Sequence, residues 1–161
     1  MIYKKKLKML LITASVGVFF AGCSKRDTAL ADTGYPDIDV TSEQAFPKQC
    51  SQFSRGAKAV VKAVVSDNVE LGSVSFDIHH NFDHHTHSTE VNDCGLDPKK
   101  TPVNPMLLIK SMPIPPGSKT YVAVQEIEIP SAIDPGDYHF LIRVTDKEGW
   151  QTLKGLSIKI R

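Results

Sequence analysis

Five of the chain's six histidines fall between positions 79 and 87, in the run Asp77, Ile78, His79, His80, Asn81, Phe82, Asp83, His84, His85, Thr86, His87. Neutral imidazole is a borderline-soft nitrogen donor and the commonest protein ligand for transition metals. A hydrophobic core does not call for several polar rings side by side, so packing alone does not account for this density. Two carboxylates lie inside the run. A metal-bound imidazole usually donates its second ring N–H to a carboxylate or carbonyl, and Asp77 and Asp83 are spaced for that task. The chemistry indicated is capture of a divalent transition metal. Imidazole suits zinc, copper and nickel, with zinc first. No methionine lies in the run, which disfavours a dedicated Cu(I) site. A solvated polar loop, with histidines bonded only to each other and to backbone, is the competing reading.

Other reactive patterns are missing. There is no His-Glu-x-x-His, no Gly-x-Ser-x-Gly and no glycine-rich phosphate loop. A small metallo-hydrolase would need a general base, and only Asp77, Asp83 and Glu90 offer one. The formal net charge of +1, without a long basic run, gives no support to nucleic-acid binding. Asp67, Asn68 and Asp146 read as turn formers. Lys99 and Lys100 read as a solvated loop. Trp150 reads as packing over one end of the domain, with an exposed ligand platform as its alternative.

The elements that display the histidines begin with an export signal. Lys4, Lys5, Lys6 and Lys8 precede an apolar stretch from Met9 to Phe20 that is too short to span a membrane. Ala21 and Gly22 then precede Cys23. That pair resembles a bacterial lipobox, which implies cleavage before Cys23 and lipidation of its thiol, although Phe20 stands where Leu is usual. An ordinary signal with a chance cysteine is the alternative. Residues 1–22 are read as signal peptide, 23–35 as a flexible tether and 36–161 as one domain. The implied location is the cell envelope, lipid-anchored to the outer membrane and facing the periplasm or the cell surface. In that oxidising compartment Cys50 and Cys94 are expected to form a disulfide. The rival reading makes Cys94 a thiolate ligand beside the histidines.

Residues 36–161 carry strand signals separated by turns. Residues 57–65 are rich in Val. A helix is an option there, but β-branching and the following Ser-Asp-Asn turn favour a strand. In 73–79, Val74, Phe76 and Ile78 alternate with Ser75, Asp77 and His79. Residues 106–111 and 121–129 are further candidates, and prolines 102, 105, 113, 115 and 116 keep neighbouring positions out of central strands. In 138–145, Tyr138, Phe140, Ile142 and Val144 alternate with His139, Leu141, Arg143 and Thr145. A turn over Asp146 to Gly149, with glycine where φ must be positive, leads to a last strand at 152–160. The pattern predicts an all-β, antiparallel immunoglobulin-like β-sandwich.

The stretch carrying Pro130, Gly136, Tyr138, Asp146 and Gly149 resembles the closing hairpin of bacterial immunoglobulin-like lipoprotein domains. The histidine run resembles a more specific group, an uncharacterised domain-of-unknown-function lipoprotein family of Bacteroidota. The resemblance spans residues 35–161 and implies an immunoglobulin-like fold and an envelope location, with no activity attached.

On such a sandwich, 57–65, 73–79 and 138–145 take the places of strands B, C and F, and C pairs with F. Phe76 and Ile78 inward put His79 outward. Tyr138 and Phe140 inward put His139 outward on the same face and at the same end. His85 and His87, two apart, share a direction if extended. The predicted ligands are therefore His79, His85, His87 and His139, with Asp77, Asp83, His84 and His80 as alternates or supporting partners. The function this suggests is a lipid-anchored binding module that captures the metal for acquisition, buffering or delivery, with an envelope transporter or surface partner as its partner. The alternative is an adhesion-type module for an envelope protein or glycan, with a structural histidine loop.

Overall fold

The computed structural model describes residues 32–86 and 94–161. Among them are eight strands and no helix: β1 (Asp37–Asp39), β2 (Gln52–Phe53), β3 (Lys58–Ser66), β4 (Leu71–His80), β5 (Leu108–Pro113), β6 (Thr120–Glu128), β7 (Gly136–Asp146) and β8 (Gln151–Ile160). They form a three-stranded sheet, β1-β3-β6, and a five-stranded sheet, β2-β8-β7-β4-β5. In immunoglobulin terms β3 and β6 occupy the B and E positions. β8, β7 and β4 occupy G, F and C, and β5 extends the second sheet as C′.

The predicted strands all form, with ends shifted by no more than two residues. The Val-rich segment is β3. Its Val61, Ala63 and Val65 are buried while Lys58 and Lys62 face water, a period of two that no helix gives. β1 and β2 were not foreseen, being too short to show a pattern. The pairing is antiparallel throughout except that β2 runs parallel to β8. Pro113 closes β5 at the sheet edge, where a missing N–H costs no ladder bond. Gly149 adopts φ 97°, as the β7–β8 turn requires.

The core lies between the sheets. Val74, Phe76 and Ile78 of β4 and Tyr138, Phe140, Ile142 and Val144 of β7 meet Val61, Ala63, Val65, Ala123 and Ile127 from the facing sheet. Tyr138 adds a polar tie. Its hydroxyl donates to the Asp134 carbonyl at 2.6 Å and accepts from the Met106 N–H at 3.2 Å. A tyrosine near the start of strand F that bonds back to the preceding corner is a hallmark of this fold. Burial, the main cause, pushes its pKa up, so the O–H donor is retained at neutral pH. Tyr138→Phe leaves the Met106 N–H buried without an acceptor and is expected to cost about 1–3 kcal/mol. Urea denaturation checks this, with a lower midpoint and an unchanged slope.

Cys50 and Cys94 form a disulfide, with Cα atoms 5.2 Å apart. This rules out Cys94 as a thiolate ligand. Cys23 lies outside the described residues. Of the stretch read as tether, residues 32–35 rest on the domain. The Trp150 indole N–H donates to the Asp32 carbonyl at 2.9 Å, and the Tyr35 and Trp150 rings meet edge to face at 4.9 Å. Trp150 thus packs over the end of the sandwich.

Candidate metal centre

β4 and β7 are hydrogen-bonded neighbours, and His79 is directly paired with His139. The inward residues on either side, Ile78 and Phe140, are fully buried. Both imidazoles therefore stand on the outer face of the five-stranded sheet, near the end of β4 and the start of β7. Their ring centroids are 5.1 Å apart.

His85 completes the group by turning back over this face. After β4 the chain makes a turn in which the His84 N–H donates to the Asn81 carbonyl at 3.3 Å. His84 itself takes φ 61°. A left-handed conformation is uncommon for a residue with a Cβ, and such positions recur where a chain is held to shape a site. Beyond it the His85 ring stacks on His79, with centroids 5.7 Å apart and planes 12° apart, and meets His139 edge-on at 4.7 Å. One nitrogen from each of His79, His85 and His139 lies within 4.8 Å of the other two.

The two aspartates of the run act as expected. The His79 Nδ1 lies 2.7 Å from Asp77 Oδ1, and the His85 Nδ1 lies 2.6 Å from Asp83 Oδ1. A carboxylate accepts only, so each Nδ1 carries the proton and Nε2 is the nitrogen each ring can present to a metal. The hydrogen bond from His85 holds the Asp83 carboxyl down at about 2, so it stays ionised as an acceptor through the physiological range. Ligand nitrogens around tetrahedral zinc sit about 3.4 Å apart, given Zn–N distances of about 2.0–2.1 Å. A side-chain adjustment of about an ångström would close these three imidazoles on one ion.

His139 is fully buried although it points away from the core. Two segments tied by the disulfide bond to the sheet beside it. His139 pairs with Ser157 of β8, and the Ser157 carbonyl accepts the Cys50 N–H at 2.8 Å. The Gln49 side-chain oxygen takes the Ser157 N–H at 3.0 Å. On the other side of the bridge, the Asp97 N–H donates to Asp137 Oδ2 at 2.7 Å. Lys159 reaches Asp137 at 2.5 Å and Asp97 at 3.1 Å, and Arg161 reaches Asp97 at 2.5 Å. Arg161, chiefly, and then Lys159 hold the Asp97 carboxyl far below the usual carboxylate range. These ion pairs fasten the segment after Cys94 to the sheet.

Of the remaining predicted ligands, His84 and His80 stand outside the group. His84 directs Nε2 to the Asp97 carbonyl at 2.8 Å and stands outside the group. His80 packs against Phe82, with ring centroids 5.0 Å apart, and is also outside it. His87 lies outside the described residues, as does Glu90. A second group, Asp32, Asp67 and Asp146, also brings one oxygen from each residue within 4.8 Å of the others. Sequence reasoning missed it, because its members are far apart in the chain and two of them read as turn formers.

No curated protein matches the chain. Among solved structures it is similar to a family 123 glycoside hydrolase from Clostridium perfringens, with a TM-score of 0.39 and 16% identity over 69% of this chain and 23% of that one. It is also similar to Spo0M, a sporulation control protein from Bacillus subtilis, with a TM-score of 0.37 and 10% identity over 79% of this chain and 49% of that one. The chain thus spans less than half the length of either, and neither likeness bears on function. Residues 21–161 match the model of a family described as Domain of unknown function (DUF4625), and the chain belongs to that family.

Proposed function

We propose that this protein is a lipid-anchored module of the bacterial cell envelope that captures a divalent transition metal, zinc first, through His79, His85 and His139. The observation that carries the reading is the convergence of three imidazoles from β4, β7 and the loop after β4, two of them with Nδ1 held by a carboxylate. Copper and nickel suit the same donors. The anchor is Cys23, read from its lipobox. The domain hands its ion to an envelope transporter or surface partner. We favour binding over hydrolysis because Asp77 and Asp83, which could act as general base, are engaged in orienting the imidazoles.

Elemental analysis of purified protein, followed by calorimetry with Zn²⁺, Cu²⁺ and Ni²⁺, tests the reading. One equivalent of zinc is expected at pH 7.5. Imidazole ligates only when neutral and in model peptides titrates near pH 6.5, so protons compete with the ion. Zinc affinity should fall by about 100-fold or more between pH 7.5 and 5.5. Absence of binding, or binding indifferent to pH over that range, would reject the histidine site.

A second reading, an adhesion-type module for an envelope protein or glycan, is favoured by one feature. Val103, Leu107 and Ile109 are 87%, 71% and 68% exposed, beside and on the edge strand β5. Exposed apolar residues grouped on a sheet edge mark a docking surface.

A further inference from the structure

The acidic group lies at the other end of the same sheet. Asp146 ends β7, seven residues from His139, which along a strand is about 23 Å. Asp67 follows β3, and Asp32 belongs to the segment leading into β1. Each aspartate has one structural task. Asp67 Oδ2 accepts the N–H groups of Val69 and Glu70 at 2.6 and 3.0 Å. Asp146 Oδ1 accepts those of Gly149 and Trp150 at 2.6 and 2.7 Å. Asp32 Oδ1 accepts from Gly34 N–H and the Asn68 amide at 2.9 and 2.8 Å.

The other oxygens are the anomaly. Asp146 is 4% exposed, and its Oδ2 is buried with no hydrogen-bond donor. Asp67 Oδ1 is buried in the same condition. Among the described residues, the ion pairs include none that joins Lys, Arg or His to any of the three carboxylates. The nearby lysines are turned to other groups: Lys119 donates to the Asn68 carbonyl at 2.9 Å, and Lys147 lies 3.6 Å from Glu70. Carboxylates gathered with buried oxygens that lack a donor or cation repel one another and lack solvation there, which a bound cation relieves.

We propose that Asp32, Asp67 and Asp146 form a calcium site that fastens the segment entering β1 to the β3–β4 and β7–β8 turns. An all-oxygen donor set without imidazole selects a hard cation. Calcium accepts several carboxylates from separate segments at 2.3–2.6 Å in flexible geometry. Magnesium needs a tight octahedron and usually keeps most of its waters. Gly72 permits the close packing here, since a Cβ at that position would lie 2.6 Å from the Asp146 carbonyl oxygen. The site also explains why residues 32–35 rest on the domain. The ion would reinforce the Trp150–Asp32 bond and the Tyr35–Trp150 ring contact on the same segment.

The test is thermal unfolding of the full chain with added CaCl2 or MgCl2. Calcium at a hundredfold excess over its dissociation constant should raise Tm by about 10 °C, with magnesium giving much less. Asp32→Asn should remove most of the rise and still fold, since Asp32 lies outside the strands. Asp67→Asn and Asp146→Asn, which keep the oxygen that caps each turn, should abolish it. His139→Ala should leave it intact, which separates this site from the histidine centre. No rise with calcium in the wild-type chain, or an equal rise in Asp32→Asn, would overturn the proposal. An equal rise with magnesium would overturn the assignment to calcium.

Discussion

Replacing His139 with Phe should lower zinc affinity by more than about 100-fold while leaving the domain folded. Removing a partner that merely orients a ligand costs about 10–100-fold, and loss of a ligand itself exceeds that. Phe keeps a planar ring against His79 and His85, which meet His139 at 5.1 and 4.7 Å, but it has no nitrogen to offer. The substitution therefore separates coordination from packing better than Ala, which would leave a gap at a fully buried position. Asp77→Asn should act more mildly, by about 10–100-fold, because the amide can accept from His79 Nδ1 but carries no charge. Calorimetry with zinc at pH 7.5 and a urea transition for each variant are the measurements. Should His139→Phe bind zinc like the wild type while His85→Ala does not bind, the site is confined to the loop. The pairing of β4 with β7 would then have no part in it.

That pairing is what made His139 legible from sequence. Two strands with clear alternation each put one histidine on the face opposite Phe76, Ile78, Tyr138 and Phe140. Antiparallel neighbours in the sheet then brought the two together. The structure places them in direct register. Parity survives errors in strand ends, because a period of two depends on the pattern and not on where it stops. His85 is the member of the run that joins them, as expected, but the path that brings it there was not legible. That depends on the turn at Asn81–His84 and on the left-handed His84, and no glycine marks that position. The turn lays His85 over His79. The burial of His139 was equally hidden. Gln49, Cys50 and the segment after Cys94, which bond to the sheet beside it, are remote in sequence and carry no periodic signal. The acidic group shows the same limit more sharply. Asp67 and Asp146 each satisfy a turn with one oxygen, so each looks fully explained until the fold brings the carboxylates together.

The disulfide joins stability to the site, and its removal should be felt in both. The bridge spans 44 residues of sequence and encloses the whole histidine run. On the chain-entropy model a loop of that length stabilises the folded state by about 4 kcal/mol, a large share of the stability of a domain this size. Its effect on the metal centre is local. The Ser157 carbonyl, which accepts the Cys50 N–H at 2.8 Å, belongs to the residue paired with His139. Cys94 follows His85 by nine positions and so limits how far the loop can move from the sheet. The Cys50→Ala, Cys94→Ala double variant should unfold about 4 kcal/mol more easily in urea. It should also bind zinc about tenfold more weakly, because His85 must then be ordered at the moment of binding. The double variant is preferable to reduction of the native protein, since the freed thiolates would themselves compete for zinc. A double variant within about 1 kcal/mol of the parent would deny the bridge a structural role. Unchanged zinc affinity in a destabilised variant would instead show that the turn at His84 holds His85 over the sheet without help from the disulfide.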